Sequence, residues 1–154
     1  MGVSGSGKTT LAMALAKGLS RSFFDADDFH PKANVEKMKK GEPLNDDDRW
    51  PWLRLLNQTL NEHLEAGCVL ACSALKESYR KLLFEGLEEH LLLVYLKGEY
   101  QFILQRMQAR KNHYMPATLL QSQFDTLEEP QNALVIDCDQ AIEEMMHTIL
   151  NTVK

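Results

Sequence analysis

The sequence is poor in several features that mark whole classes of protein. Cysteine is scarce: Cys68, Cys72 and Cys138 are an odd number set in apolar stretches. That speaks against a disulfide framework or a metal cluster and for small buried hydrophobes in a reducing compartment. There is no basic excess, since 17 Lys and Arg against 22 Asp and Glu leave a net charge of −5, and general nucleic-acid binding is disfavoured. No apolar run is long enough to span a bilayer and no signal peptide stands ahead of the first motif, so a cytoplasmic protein is expected. Repeats, low-complexity stretches and linkers are absent as well. Residues 1–154 are therefore expected to form a single domain with one core, and the 44% hydrophobic and 25% charged content suits that.

What is present starts at once. Gly2-Val3-Ser4-Gly5-Ser6-Gly7-Lys8-Thr9 is a complete G-x-x-x-x-G-K-[ST] loop, followed by Thr10. Its glycines let consecutive backbone N–H groups turn toward anionic oxygens, Lys8 suits β- and γ-phosphates, and the Thr9 hydroxyl suits Mg²⁺. Leu11, Leu15 and Leu19 recur four apart, so a helix follows and a phosphate would lie at its positive end. Only Met1 precedes Gly2, whereas a P-loop normally follows a buried strand. A central parallel strand is missing from this reading, which leaves the expectation of a slot in the core flanked by unpaired ladder groups.

Strand and helix signals alternate along the rest. Strands are expected at 21–24, 68–72, 90–96 and 133–137, and helices at about 31–40, 49–65, 73–86, 99–110, 117–127 and 141–153. This order implies an α/β P-loop sandwich: a mostly parallel sheet covered by helices on both faces.

Three polar sets fall at strand ends, where such sheets bind ligands. Asp25-Ala-Asp27-Asp28 places carboxylates at i and i+2; one can approach Mg²⁺ and another can take a proton from a substrate hydroxyl, with Asp27 favoured as the base. Lys76 and Arg80, four apart in Ser73-Ala-Leu-Lys76 with Tyr79, form a cationic helix face for an anionic substrate group. Arg106 and Arg110, ahead of the polar joint through His113 to Pro116, have the character of a lid that brings charge over a transferring phosphoryl group. The stretch 41–52, with two Trp beside three Asp, names no substrate by its spacing alone.

GVSGSGKT, DADDFHP, the run through Asn34, Lys37 and Met38, GEPLNDDDRWPWL, CSALKESYR and QSQFDTLEEP together resemble the P-loop gluconokinases of bacteria and animals, from Gly2 to the final helix. The resemblance implies a three-layer P-loop kinase fold with a small lid, and a cytoplasmic homodimer that converts D-gluconate and ATP to 6-phospho-D-gluconate and ADP with Mg²⁺. It implies Asp27, His30, Asn34, Lys37, Asp48, Arg49 and Arg80 on the substrate and Arg106 and Arg110 as lid arginines acting in phosphoryl transfer; the reading of the residues themselves adds Lys76 on the substrate, Thr9 and Asp25 on the metal, and Lys8 and Asp27 in catalysis. A kinase of another specificity, such as shikimate, and a truncated or non-catalytic nucleotide-binding form are the alternatives.

Overall fold

The computed structural model describes residues 1–109 and 117–153. Helix α1 (Lys8–Leu19) leaves the P-loop directly, one residue earlier than the sequence pattern suggests, because Gly7 takes a left-handed φ of 95° that opens the helix at Lys8. Strand β1 (Ser22–Asp25) leads into a single 3-10 turn (Ala26–Phe29), then α2 (Lys32–Lys39). Helix α3 (Asp46–Glu62) begins three residues before the expected Arg49. The cause is a capping box: the Asn45 side chain accepts from the Asp48 N–H, while the Asp48 carboxylate accepts from the Asn45 N–H. Pro51 consequently lies inside the helix, where it removes one backbone bond.

Strand β2 (Cys68–Ala71) is followed by an irregular loop rather than by helix, since Ala74 has a φ of 43° and Lys76 is still extended; α4 spans only Glu77–Phe84. Then come β3 (Val94–Lys97), α5 (Tyr100–Ala109), α6 (Ala117–Thr126), β4 (Leu134–Asp137) and α7 (Ile142–Thr152).

The sheet is parallel but divided. β1 pairs with β2 (Ser22 opposite Cys68) and β3 pairs with β4 (Val94 opposite Leu134), and among the described residues no strand joins the two pairs. The break between the pairs falls where the sequence predicts a slot. It also explains why β3 starts at Val94 and not at His90: Leu91, Leu92 and Leu93 border the gap and lack a ladder neighbour on that side. For the same reason Cys68, Val69 and Leu70 of β2, read as a strand buried on both faces, are only half-buried.

Two apolar cores flank the divided sheet. One gathers Val3, Leu11 and Leu15 with Leu96, Ile103 and Ile149; the other gathers Trp52, Leu53 and Leu56 of α3 with Tyr79 and Leu83 of α4. Cys72 and Cys138 are buried and all three cysteines are free thiols, with burial pushing Cys72 up to about 11. No described helix is long and apolar enough to cross a membrane.

Candidate active site

The P-loop is held from three sides. Ser6 is fully buried within it. Its Ser4 N–H donates to Gln123 Oε1 at 2.7 Å, and Gln123 Nε2 donates back to Ser4 Oγ at 2.9 Å, so α6 clamps the loop. Lys8 Nζ donates to the Val3 carbonyl at 2.8 Å, which draws the lysine over the loop's own turn. Gln123 carried no signal in residue spacing; its function depends on α6 crossing the loop, a long-range fact.

At the carboxyl end of β1, Thr9 Oγ1 donates to Asp25 Oδ2 at 2.8 Å. Two hard oxygen ligands thus meet at the first turn of α1, a donor set that fits Mg²⁺, which takes few protein ligands and completes its shell with phosphate and water. Asp25 also accepts from the Asp27 N–H at 3.1 Å, fixing the start of the 3-10 turn. The Asp27 carboxyl is held above its ordinary range, first because surrounding protein withdraws water and next because Asp25 repels it, with Lys8 and His30 acting oppositely. Its side chain is 87% exposed, so solvent tempers that shift.

From Asp27 the contacts run outward in sequence. His30 Nε2 lies 4.0 Å from Asp27 Oδ1, and the imidazole stacks on Trp52 with ring centroids 4.3 Å apart. Burial lowers the His30 pKa, the Asp27 charge opposing it. Trp52 is fixed in turn by its indole N–H, which donates to the Ala26 carbonyl at 2.7 Å. Asn34, buried, approaches His30 Nδ1 at 3.4 Å and donates to the Asp48 carbonyl at 2.8 Å. Lys37 Nζ reaches both Asp48 carboxylate oxygens, at 2.9 and 2.8 Å, and that bond is the main reason Asp48 lies below the usual carboxylate range.

A second cluster centres on Asp46, to which the sequence alone assigns no role. Its carboxylate accepts from the Tyr79 hydroxyl and from Lys76 Nζ at 3.1 Å, and these bonds, Tyr79 first, hold it below its ordinary range. Arg49 Nη1 donates to Tyr79 Oη at 3.3 Å and to the Leu44 carbonyl at 2.6 Å, while Arg49 and Lys76 both lie over the Tyr79 ring, at 5.5 and 5.3 Å from its centroid. Two of the three Asp in this run therefore divide their partners: Asp48 serves Lys37 and Asp46 serves Lys76.

One expectation changes. Lys76 and Arg80 do not share a helix face, because Lys76 precedes α4 in extended conformation and turns to Asp46. Arg80 turns inward instead: it is buried, and Nη1 donates to the Ala74 and Leu75 carbonyls at 2.9 and 3.0 Å, tying down the loop after β2. Arg106 lies in α5, ahead of the joint, as expected. Its Nη1 donates to the Cys138 carbonyl at 2.9 Å, and its other terminal nitrogen would lie 3.7 Å from a Cβ at Gly7, beside the P-loop. Arg110 and His113, the rest of the expected lid, lie outside the described residues.

A phosphate loop, a hydroxyl–carboxylate pair for a divalent cation and a wall of alternating cations and carboxylates on a parallel α/β frame define a P-loop kinase. The family model described as shikimate kinase matches residues 4–153. The thermoresistant gluconokinase of Escherichia coli (strain K12) is 44% identical over 160 residues, covering all of this chain and 91% of that protein. The gluconokinase of Gluconobacter oxydans (strain 621H) is 49% identical, covering 84% of this chain and 74% of its own length. Among solved structures, a gluconokinase from Sinorhizobium meliloti 1021 superposes with a TM-score of 0.87 at 40% identity, covering 98% of this chain and 87% of that one. The chain belongs to the gluconokinase family.

Proposed function

We propose that this chain transfers the γ-phosphoryl group of ATP to D-gluconate, giving 6-phospho-D-gluconate and ADP. The observation that carries the reading is the unbroken run of contacts from the P-loop through Thr9, Asp25, Asp27, His30 and Asn34 to the Asp48–Lys37 pair. It links a phosphate grip to groups that suit a small polyhydroxy anion.

Backbone N–H groups of the loop and Lys8 bind and orient the phosphates, and Arg106, beside Gly7, offsets charge that develops in transfer. Thr9 and Asp25 hold Mg²⁺, which neutralises phosphate charge when bound. Asp27 accepts the proton of the attacking hydroxyl; its upward shift moves it toward the range where a general base is effective. Lys37, Arg49 and Lys76 supply positive charge for the substrate carboxylate, and His30, Asn34 and Asp48 supply hydrogen-bonding partners for its hydroxyls, with Arg80 holding the loop behind them. A site that pairs hydroxyls rejects analogues lacking them, because its own groups are then left unpaired. Arg110 completes the catalytic set as a lid residue, and the reading carries with it a cytoplasmic homodimer in which residues 1–154 act as one domain.

A second reading, phosphorylation of shikimate, is favoured by the description of the matching family model. Coupled ADP release is measured with ATP, Mg²⁺ and a panel of polyhydroxy acids that includes gluconate and shikimate. Turnover with gluconate well above the other acids supports the proposal. A folded sample that releases ADP with shikimate and not with gluconate refutes it, and one that binds ATP but turns over nothing establishes the non-catalytic form.

A further inference from the structure

The end of α6 and the residues after it, Gln121 to Pro130, make polar contacts on both halves of the site. Gln123 engages Ser4 twice, accepting from its N–H at 2.7 Å and donating to its Oγ at 2.9 Å. Five residues on, Glu128 engages the loop after β2 twice. Its N–H donates to the Leu75 carbonyl at 2.9 Å and its Oε2 accepts from the Glu77 N–H at 2.6 Å, so the two bonds bracket Lys76. Glu129 follows, accepting from Lys97 Nζ at 3.0 Å and from the Tyr95 hydroxyl at 3.4 Å, and fixes the segment to β3.

The piece between the two anchors is stiff. The Leu127 N–H donates to the Gln123 carbonyl at 2.9 Å, so helical bonding continues to the residue before Glu128. Leu120 is fully buried, Phe124 and Leu127 pack against the same core, and the Phe124 ring meets Tyr100 edge-on at 5.4 Å. Packing seats α6, while the polar ends of Gln123 and Glu128 go to the two loops. Both loops have backbone that needs outside support: Gly5 and Gly7 have φ of 82° and 95°, and Ala74 has φ of 43°.

We propose that Gln123 and Glu128 are positioning residues, the two ends of a strut that fixes the phosphate loop at Ser4 against the loop carrying Lys76, so that ATP seated on the first orders the second. Gln123 keeps the backbone donors of the phosphate loop converged before the nucleotide arrives. Glu128 holds the backbone on either side of Lys76, whose Nζ reaches Asp46 at 3.1 Å. Each acts through the loop it holds. The inference rests on the reading of the P-loop as the ATP grip and deepens it with a coupling between the two halves of the site.

The test compares the parent chain with Gln123→Ala and Glu128→Ala, each checked for folding by its melting curve. Binding of a non-hydrolysable ATP analogue with Mg²⁺ should be about tenfold weaker in Gln123→Ala, which loses two hydrogen bonds to the loop, and within about twofold of the parent in Glu128→Ala. Amide hydrogen exchange reads the coupling: saturating analogue should slow exchange across Leu75–Arg80 severalfold in the parent, and that slowing should vanish in both variants. Gln123→Met, which fills similar space without the polar atoms, replaces Gln123→Ala if alanine unfolds the chain, and the same results are expected of it. Neither measurement contains the sugar acid, so their failure is distinct from a failure of gluconate turnover in the parent. Three results overturn the proposal: undiminished analogue affinity on loss of the Gln123 amide, no analogue-induced slowing at Leu75–Arg80 in the parent, or slowing that survives in either variant.

Discussion

Gly5→Ala tests whether the P-loop's shape is imposed by the packing around it. Gly5 has a φ of +82°, and an added Cβ would lie 2.7 Å from Met107 Cγ and 3.1 Å from Ile103 Cγ2. Ile103 and Met107 are both buried in the core beside the loop. The left-handed backbone costs an alanine about 1–2 kcal/mol, and forcing a methyl into a filled core adds about 1–3 kcal/mol. The sum, about 2–5 kcal/mol, corresponds to a fall in melting temperature of roughly 5–15 °C for a chain of this size. Relief of the strain by opening the loop would also raise KM for ATP, because the backbone donors would no longer converge. Thermal unfolding and ATP kinetics are measured on Gly5→Ala, on Met107→Ala and on the double variant. In the double variant the steric part should vanish while the backbone part stays, leaving a coupling of about 1–3 kcal/mol. A melting temperature within a degree or two of the parent, with KM for ATP unchanged, would refute the argument.

Three further outcomes are expected. Lys8→Ala should lower kcat by about 10²–10³-fold with a near-parental melting curve, since the residue serves phosphates rather than the core; retained kcat contradicts the role. Arg80→Ala, by leaving the buried Ala74 carbonyl without its Arg80 partner while Leu75 keeps only the Glu128 N–H, should destabilise the chain by about 1–3 kcal/mol and raise KM for gluconate through the loop; a raised KM with unchanged melting would mean instead that Arg80 touches the substrate directly. Asp46 and Asp48 have lowered folded pKa values, so their stabilisation is complete above the ordinary carboxylate value of 3.8 and is lost as pH falls through the folded values below it. The Asp46→Asn, Asp48→Asn double variant should therefore show a flatter dependence of melting temperature on pH below about 4 than the parent, and an equally steep dependence would remove the linkage.

Local signals were enough for much of this protein. The glycine spacing and Lys8 announced the nucleotide loop, the four-residue recurrence of Leu11, Leu15 and Leu19 announced α1, and the alternation of short apolar runs with helical patterns announced a parallel α/β frame. These are legible because turn chemistry and periodicity act over a few residues, within the reach of sequence inspection. The start of α3 was misplaced only because two side chains, Asn45 and Asp48, closed a reciprocal box that extends the helix backward.

Tertiary structure decided how the charged residues are shared out. Nothing in the order Asp46-Asp47-Asp48 says that the first would serve Lys76 and Tyr79 and the third Lys37, because those partners arrive from the loop before α4, from α4 itself and from α2. The same is true of Arg80, drawn inward by two carbonyls, and of Gln123, which meets Ser4 across 119 positions. The division of the sheet also belongs here: Leu91–Leu93 have the composition of a strand, yet a strand needs a neighbour to bond. Hydrogen bonds and ion pairs are satisfied by whatever the fold brings near. Their pairing is therefore a property of the assembled chain, whereas a helix or a phosphate turn is already written in its own few residues.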